Sequence, residues 1–228
     1  MIKPIAHISS PFPAKFGVPR QPGLVPSLKA EIIFEPEYRI PEALRGLEGY
    51  SHIWVIWEFS ESVRDTWSPT VRPPRLGGNK RVGVFATRSP FRPNPIGLSV
   101  LELEKIELST PNGPVIHVKG ADLIDNTPIY DIKPYLPHID SIPDAKAGFA
   151  GDVVSNKLSV VIPENLFELI PPAHRASIKA ILEQDPRPGY QKDDTRKYGF
   201  FYADMEIKFI VQDSALTVTE ITFPHRIS

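Results

Sequence analysis

The chain has 228 residues, of which 41% are hydrophobic and 23% are charged, and its net charge is −1. This composition is typical of a soluble globular protein with one large domain, or with one domain and a smaller appendage. The absence of cysteine excludes disulfides, thiolate zinc sites and a cysteine nucleophile. Because no apolar run reaches membrane-spanning length and the first residues lack the apolar core of a signal peptide, we expect a cytoplasmic protein.

The first part of the chain is predicted to be rich in β-structure. Short apolar stretches recur at fairly regular spacing between loops that contain proline and glycine. This pattern favours a β-barrel or a β-sandwich over alternating strands and helices. The predicted strands are residues 2–8, 30–34, 52–59, 82–87, 97–108, 114–124 and 127–135.

One short helix and one central strand stand out among these elements. The helix is predicted at residues 41–45, because a proline opens it and Gly46 follows it. The third strand is apolar on both faces, which is typical of a central strand. Trp54 and Trp57 are therefore predicted to lie in the core, whereas Trp67, which has polar neighbours, is predicted to be exposed.

The composition changes near residues 141–152, where proline, aspartate, alanine and glycine dilute the hydrophobic pattern. We place a domain boundary there and predict a larger domain of residues 1–145 and a smaller domain of residues 146–228. The smaller domain is predicted to be α+β. Its predicted elements are helices at residues 163–170 and 173–184, and a hairpin of residues 197–211 and 216–223 that turns at Asp213 and Ser214.

A stiff loop is the most distinctive local feature. Residues 83–97 read Gly-Val-Phe-Ala-Thr-Arg-Ser-Pro-Phe-Arg-Pro-Asn-Pro-Ile-Gly, and the three prolines restrict the backbone around them. Arg88 and Arg92 lie on this loop, which would lose little conformational entropy on binding. Such a loop suits a preorganised site for an anion or a carboxylate. A rigid connector with two solvated arginines is an equally good interpretation of the loop alone.

Positive charge is concentrated around this loop. Between residues 64 and 92, seven basic residues stand against a single acid, Asp65, which leaves an excess of six positive charges. This asymmetry indicates a surface that faces a polyanion. The competing interpretation is a solvated loop whose charges pair with acids elsewhere.

Common catalytic and metal-binding motifs are absent from the sequence. It contains no G-x-G-x-x-G fingerprint, no P-loop, no H-E-x-x-H and no G-x-S-x-G. The six histidines lack metal-ligand spacing, so no metal site is predicted. Polar turns remain at Arg20 and Gln21, which lie between prolines, and at Asp125 and Asn126, where the spacing alone favours a plain hairpin.

Five segments are much more specific together than any of them is alone. They are Phe-Gly-Val-Pro-Arg-Gln at residues 16–21, Gly-Tyr-Ser-His-Ile-Trp at 49–54, Arg-Pro-Pro-Arg at 72–75, the stiff loop at 83–97, and residues 122–135. This set resembles the TsaA-like (YaeB, TrmO) family of S-adenosylmethionine-dependent tRNA methyltransferases. The resemblance implies a mainly β fold with a β-barrel core in place of a Rossmann sheet. The segment Asp-Pro-Arg-Pro-Gly-Tyr at 185–190 is similar to the small C-terminal domain of bacterial members, and Asn126 stands where many members have glycine.

By this resemblance the protein methylates N6 of N6-threonylcarbamoyladenosine, next to the anticodon of threonine tRNA, and forms a homodimer. The resemblance also implies which residues contact S-adenosylmethionine: Pro19, Arg20, Gln21, Ser60, Glu61, Arg88, Leu98, Leu123, Ile124, Asp125 and Asn126. Arg88 or Arg20 would hold the methionine carboxylate, and Asp125 would accept a hydrogen bond from a ribose hydroxyl.

For a tRNA substrate, the cationic segment around the stiff loop is the surface that we assign to the RNA. The anticodon loop is single-stranded, so its bases can stack on aromatic rings or arginine planes. The residues assigned to tRNA are Arg64, Trp67, Arg72, Arg75, Lys80, Arg81 and Arg92. Within this set, Arg92 is the candidate clamp for the threonine carboxylate of the substrate.

The N6 nitrogen must lose a proton during methylation, and the candidate acceptors are Asp131, Tyr130 and Tyr50. Asp131 also lies on the same strand face as Lys133, with which it is predicted to pair. Two other functions stay open: a non-catalytic module that binds an anionic nucleotide, and a methyltransferase that acts on another RNA or on a small molecule.

Overall fold

The structure is a computed structural model that describes residues 2–73, 80–151, 157–187 and 193–224. In chain order, the strands of these described residues are β1 (Ala6–Ser9), β2 (Lys29–Phe34), β3 (His52–Glu58), β4 (Thr70–Val71), β5 (Val82–Gly83), β6 (Ile96–Thr110), β7 (Gly113–Lys119), β8 (Pro128–Pro134), β9 (Ser159–Val161), β10 (Tyr198–Tyr202), β11 (Met205–Gln212) and β12 (Ala215–Thr222). The α-helices are α1 (Pro137–Asp140), α2 (Glu164–Phe167) and α3 (Pro172–Glu183).

Six strands close into an antiparallel barrel in the order β1-β2-β7-β6-β3-β8. Side chains alternate between the two faces of each strand, so one face of each strand fills the barrel interior. In β3 the inward residues Ile53, Val55 and Trp57 are buried, whereas the residues between them are half-buried. The predicted mainly β fold with a barrel core is confirmed.

The three tryptophans do not all follow the prediction. Trp57 lies in the core and Trp67 is 50% exposed, as predicted. The prediction for Trp54 is wrong, because this residue lies half-buried on the outer face of β3. Its indole Nε1–H donates to the Asp140 carboxylate at 3.0 Å, and its ring lies 5.7 Å from that of Tyr135. A closed barrel buries only one face of each strand. The indole of Trp54 therefore lies outside the barrel core and packs against its neighbours Asp140 and Tyr135.

The strand predicted at residues 82–87 is also wrong. Only Val82 and Gly83 form a strand, β5, which pairs with β4, and a 3₁₀ turn follows at Val84–Ala86. The six other strands already form a closed barrel, which leaves no free strand edge with which residues 84–87 could pair. The helix predicted at residues 41–45 is a 3₁₀ turn at Pro41–Leu44, and Gly46 follows it with a φ of 87°.

The C-terminal part forms a four-stranded sheet in the order β10-β11-β12-β9, with α3 packed beside it. The predicted turn at Asp213 is confirmed, and its φ is 53°. The long strand predicted at residues 197–211 is instead divided into β10 and β11 at Ala203, which has a φ of 52°. The helix predicted at residues 163–170 is shortened to α2, whereas α3 matches its prediction within one residue at each end.

The connection between β1 and β2 lies between the barrel and the C-terminal sheet. The Phe12 ring meets the Tyr202 ring edge-on at 5.5 Å, and the Ala203 N–H donates to the Pro11 carbonyl at 2.6 Å. Gly17, with a φ of +94°, lies so close to Phe200 that a Cβ there would come within 2.5 Å of the ring. The C-terminal sheet therefore restrains the loop that carries Pro19, Arg20 and Gln21. Within the described residues, no helix is both long and apolar enough to cross a bilayer.

Candidate active site at one end of the barrel

Four segments meet where β1, β3 and β7 end and where β2, β6 and β8 begin. We call this region the loop end of the barrel; it consists of residues 10–28, Ser60–Ser62, 87–95 and 120–127. Lys15 Nζ donates to Ser62 Oγ at 3.2 Å and lies 3.7 Å from the Glu61 carboxylate. The Phe59 N–H donates to the Pro95 carbonyl at 2.8 Å. These contacts link the first three of the four segments.

Arg88 and Gln21 connect two of these segments directly. Arg88 Nη1 donates to Gln21 Oε1 at 2.6 Å, across 67 positions of the sequence. Arg88 is exposed, and the bond to Gln21 is the only hydrogen bond that it makes within the described residues. A guanidinium has five N–H donors, so most of them are left for a ligand.

Arg20 and Arg92 are more strongly engaged with the protein. Arg20 Nη2 donates to the carbonyl oxygens of Asp185 at 3.3 Å and of Arg187 at 2.8 Å. Arg92 Nη1 donates to the Thr87 carbonyl at 2.9 Å, which braces the stiff loop from within. Of the two arginines predicted to hold the methionine carboxylate, Arg88 is therefore the more available.

The turn at residues 122–127 is tied to β1. Asp125 Oδ1 accepts the Ser10 N–H at 2.9 Å, and Asp125 Oδ2 accepts Asn126 Nδ2 at 2.8 Å. Ser10 Oγ donates to the Leu123 carbonyl at 2.9 Å. Asp125 thus accepts a hydrogen bond from the backbone of another segment. In a plain hairpin it would instead bond the backbone of its own turn. Asn126 has a φ of 60°, which lies in the left-handed region in which glycine is unstrained.

A chain of buried polar groups leads from the barrel interior to this turn. Trp57 Nε1–H donates to Ser99 Oγ at 3.0 Å, and the Ser99 hydroxyl donates to Asp122 Oδ1 at 2.7 Å. Ser99 is fully buried. A Cβ at Gly97 would lie 2.3 Å from Trp57 Cε2, so glycine is needed for the indole to take this place.

Asp122 was not among the predicted site residues. Burial raises the pKa of its carboxyl group to about 6, although the Ser99 hydrogen bond, the hydrogen bond from the backbone of Asp122 and the positive charge of Arg88 all act in the opposite direction. The sequence marks Asp122 only as the residue before the turn. Ser99 lies 23 positions from Asp122, and Trp57 lies 42 positions from Ser99, so no local pattern indicates these partners.

The structure separates Tyr50 from the other two predicted proton acceptors, which are adjacent in β8. Tyr130 lies beside Glu58, and burial together with that carboxylate raises the pKa of Tyr130 to about 12. Asp131 pairs with Lys133 Nζ at 2.8 Å, which confirms the predicted pairing. Tyr50 precedes β3 and lines a groove at the opposite end of the barrel, about 20 Å along the strand from the loop end.

Leu98 is the predicted cofactor contact that faces away from the polar chain. It is 52% exposed on the outer face of β6, next to Ile96 at 42%, whereas its neighbour Ser99 points inward. The alternation along β6 therefore places Leu98 and Asp122 on opposite sides of the strand.

Cationic and aromatic side chains form one exposed surface beside the loop end. The Arg64 guanidinium lies 3.7 Å over the Phe91 ring, and Trp67 lies 6.2 Å from Phe85, which is 72% exposed. We call it the basic aromatic surface, and its residues are Arg64, Trp67, Arg72, Lys80, Arg81, Phe85 and Phe91. Phe85 and Phe91 were not among the predicted substrate contacts, and the predicted contact Arg75 lies outside the described residues.

Comparisons with known proteins cover both parts of the chain. Residues 7–141 match the family described as tRNA-methyltransferase O N-terminal domain, and residues 165–224 match the TrmO C-terminal domain. The chain is 42% identical over 222 residues, 94% of each protein, to the tRNA (adenine(37)-N6)-methyltransferase of Escherichia coli strain K12. It is 48% identical over 164 residues to the protein of the same name from Eikenella corrodens, covering 72% of this chain and 92% of that one. A crystal structure of TrmO from Pseudomonas aeruginosa superposes with a TM-score of 0.76 at 31% identity, covering 97% of this chain and 98% of that one.

Proposed function

The chain belongs to the tRNA-methyltransferase O family, and we propose that it methylates N6 of N6-threonylcarbamoyladenosine at position 37 of threonine tRNA. The family predicted from the sequence motifs is thereby confirmed, and so are the enzyme class and the cofactor, S-adenosylmethionine. The observation that carries the proposal is the loop end of the barrel, where four separate segments converge around Arg88, Gln21 and Asp122.

The loop end fits S-adenosylmethionine in its chemistry. When bound, this cofactor supplies an electrophilic methyl group, and its sulfur keeps the electron pair of the broken bond. Arg88 offers uncommitted N–H donors for the methionine carboxylate, and proline-flanked loops hold their backbone groups in place with little entropy left to lose. The residues proposed to hold the cofactor are Pro19, Arg20, Gln21, Ser60, Glu61, Arg88, Leu98, Leu123, Ile124, Asp125 and Asn126.

The basic aromatic surface is proposed to receive the anticodon loop. Exposed aromatic rings stack on splayed bases, and the surrounding cations attract the phosphates. Phe85, Phe91 and Trp67 supply rings that are 72%, 37% and 50% exposed, respectively. Arg92 is assigned to the threonine carboxylate, because its guanidinium has further N–H groups beside the one that braces the loop. Asp131, Tyr130 and Tyr50 stay predictions as proton acceptors.

A homodimer, a cytoplasmic location and a domain boundary at residue 145 complete the proposal. Ile96 and Leu98 leave an apolar strip on the outer face of β6, which a second copy of the chain would cover. Light scattering after size-exclusion chromatography measures the oligomeric state. A monomer at micromolar concentration would contradict the dimer.

One experiment tests the catalytic function directly. The protein is incubated with S-adenosylmethionine and tRNA from cells that make the threonylcarbamoyl group but lack this methylation, and the nucleosides are analysed by mass spectrometry. The expected product is the N6-methylated form of the threonylcarbamoylated nucleoside. Binding of cofactor without any methylated nucleoside would point to the non-catalytic module instead, and a different methylated nucleoside would point to another RNA substrate.

A further inference from the structure

Asp122 is a partly buried carboxyl group that the proposed cofactor contacts leave unused. It follows β7 at the loop end, next to the segment of residues 123–126 that is proposed to hold the cofactor. The groups that face it are the Ser99 hydroxyl from β6, backed by the Trp57 indole from β3, and the Arg88 guanidinium from the stiff loop. Arg88 is the charged group among these neighbours.

The polar chain holds one carboxylate oxygen in place. Oδ1 accepts the Ser99 hydroxyl, whose orientation is set because its oxygen already accepts the Trp57 N–H. Among the described residues, Ser99 supplies the side-chain hydrogen bond to this carboxyl group. The backbone N–H of Asp122 also bonds the carboxyl group. Within the described part of the chain, Oδ2 is therefore the carboxyl oxygen without a side-chain partner.

We propose that Asp122 is the catalytic base that accepts the N6 proton of the substrate. Methylation replaces the N6–H bond with an N6–carbon bond, so one proton must leave the nitrogen. The Asp122 carboxylate takes that proton at Oδ2 and becomes neutral, and the electron pair of the N6–H bond stays on nitrogen. This inference rests on the proposed function and assigns the proton acceptor within it.

The surroundings of Asp122 suit a catalytic base better than those of Tyr130, Asp131 or Tyr50 do. A base works best when its pKa lies near the working pH, and burial brings the pKa of Asp122 to about 6. Tyr130, whose pKa is raised to about 12, carries its proton at neutral pH. Asp131 is held by Lys133 at 2.8 Å, and Tyr50 lies at the opposite end of the barrel.

The test is single-turnover methylation of threonylcarbamoylated tRNA by Asp122→Asn, with product identified by mass spectrometry. We expect the rate to fall by about 10²–10⁴-fold, which is the usual contribution of a general base. Cofactor affinity, measured by calorimetry, should change far less. Asp144→Asn makes the same chemical change at an exposed site and should keep the wild-type rate. Circular dichroism checks that Asp122→Asn is folded.

The pH profile separates a catalytic base from a structural residue. The wild-type rate should rise with pH and level off above about 6, because only the ionised carboxylate accepts a proton. Asp122→Asn should lack this rise. Ser99→Ala removes the hydrogen bond that stabilises the carboxylate, so its ascending limb should move to higher pH while its rate at alkaline pH approaches that of wild type.

Each result decides between the alternatives. Comparable rates for Asp122→Asn and wild type would overturn the inference and leave the proposed function intact. The inference would also be overturned if Asp122→Asn bound the cofactor more weakly in proportion to its rate, or if the limb stayed in place in Ser99→Ala. Absence of methylated product with the wild type would overturn the proposed function and, with it, the assignment of Asp122.

Discussion

The guanidinium of Arg20 lies 2.8 Å from the carbonyl oxygen of Arg187, which is 167 positions further along the chain. Arg187 is itself held by Asp185 through two parallel hydrogen bonds, Nε to Oδ1 at 2.8 Å and Nη2 to Oδ2 at 2.9 Å. The side chain of Arg187 is only 9% exposed. The C-terminal part of the chain thus supports the loop that carries Arg20 and Gln21, and through this loop it is connected to the proposed cofactor site.

Asp185→Asn should weaken this support. The change leaves the Arg187 guanidinium largely buried without its carboxylate, at a cost of about 1–3 kcal/mol in the free energy of unfolding. Thermal unfolding should show the destabilisation, and calorimetry should show weaker binding of S-adenosylmethionine, because the Arg20 loop is less well held. Asp213→Asn is the matched control, since Asp213 has a similar φ of 53° but is exposed. Lowered stability with unchanged cofactor affinity would refute the link between the two.

Arg88→Ala should weaken cofactor binding without destabilising the fold. A hydrogen bond to a charged group contributes about 1.5–3 kcal/mol, so the dissociation constant should rise by about tenfold or more. The melting temperature should stay nearly the same, because Arg88 is exposed. Arg45→Ala removes an exposed arginine at the opposite end of the barrel and serves as the control for calorimetry. Equal affinities in the two variants would remove Arg88 from the cofactor site.

Phe85→Ala and Phe91→Ala should each raise the KM for tRNA. Stacking of a base on an aromatic ring contributes about 1–3 kcal/mol, and both rings are exposed, at 72% and 37%. Cofactor affinity should stay near that of wild type. Phe201→Ala, at a ring that is 38% exposed on the C-terminal sheet, is the matched control. If it raised the KM as much as the other two, the basic aromatic surface would not be the tRNA site.

Replacing Arg72 and Lys80 by alanine together should flatten the salt dependence of tRNA binding. Each phosphate that a cation neutralises releases counterions. For single-stranded RNA, the slope of the logarithm of the binding constant against the logarithm of the salt concentration should therefore become shallower by about 0.7 for every phosphate contact that is lost. Both side chains are exposed, so the stability of the fold should not change. Binding measured by fluorescence anisotropy across a salt series tests this. A slope that stays at the wild-type value would assign these cations to other roles.

Asp122→Asn should be more stable than wild type at alkaline pH. The folded protein raises the pKa of Asp122 from its ordinary value to about 6, so between about pH 4 and pH 6 the folded state binds more protons than the unfolded state. This contribution to stability is therefore lost as the pH rises through that range. Melting temperatures at pH 4.5 and pH 8 should diverge in favour of the variant at pH 8. Asp144→Asn should show no such divergence. Equal melting temperatures of the wild type and Asp122→Asn at both pH values would contradict the prediction that burial of the ionised Asp122 carboxylate destabilises the fold.

Local pattern was sufficient for the six barrel strands and for the family. Short apolar stretches between proline and glycine loops predicted the six barrel strands, with ends that agree within about five residues, because each strand must bury an apolar face. Proline and glycine positions predicted the stiff loop around Arg88 and a short helix at residues 41–45, which is a 3₁₀ turn at Pro41–Leu44. The order of five short motifs identified the family. Trp54 marks the limit of such patterns, since an apolar residue on the outer face of a barrel strand has the same sequence signature as one in the core.

The composition of the site was decided by the tertiary structure. Barrel closure determines which strand ends meet, and it placed Tyr50 at the end opposite to Arg88. It also aligned Trp57, Ser99 and Asp122 from three different segments into one hydrogen-bonded chain. The pKa of a carboxyl group depends on its burial and on charges brought near it by folding, and the sequence records neither. The residue pattern therefore predicts the fold class and the family, whereas the packing of the barrel distinguishes Asp122 from the other carboxyl groups among the described residues.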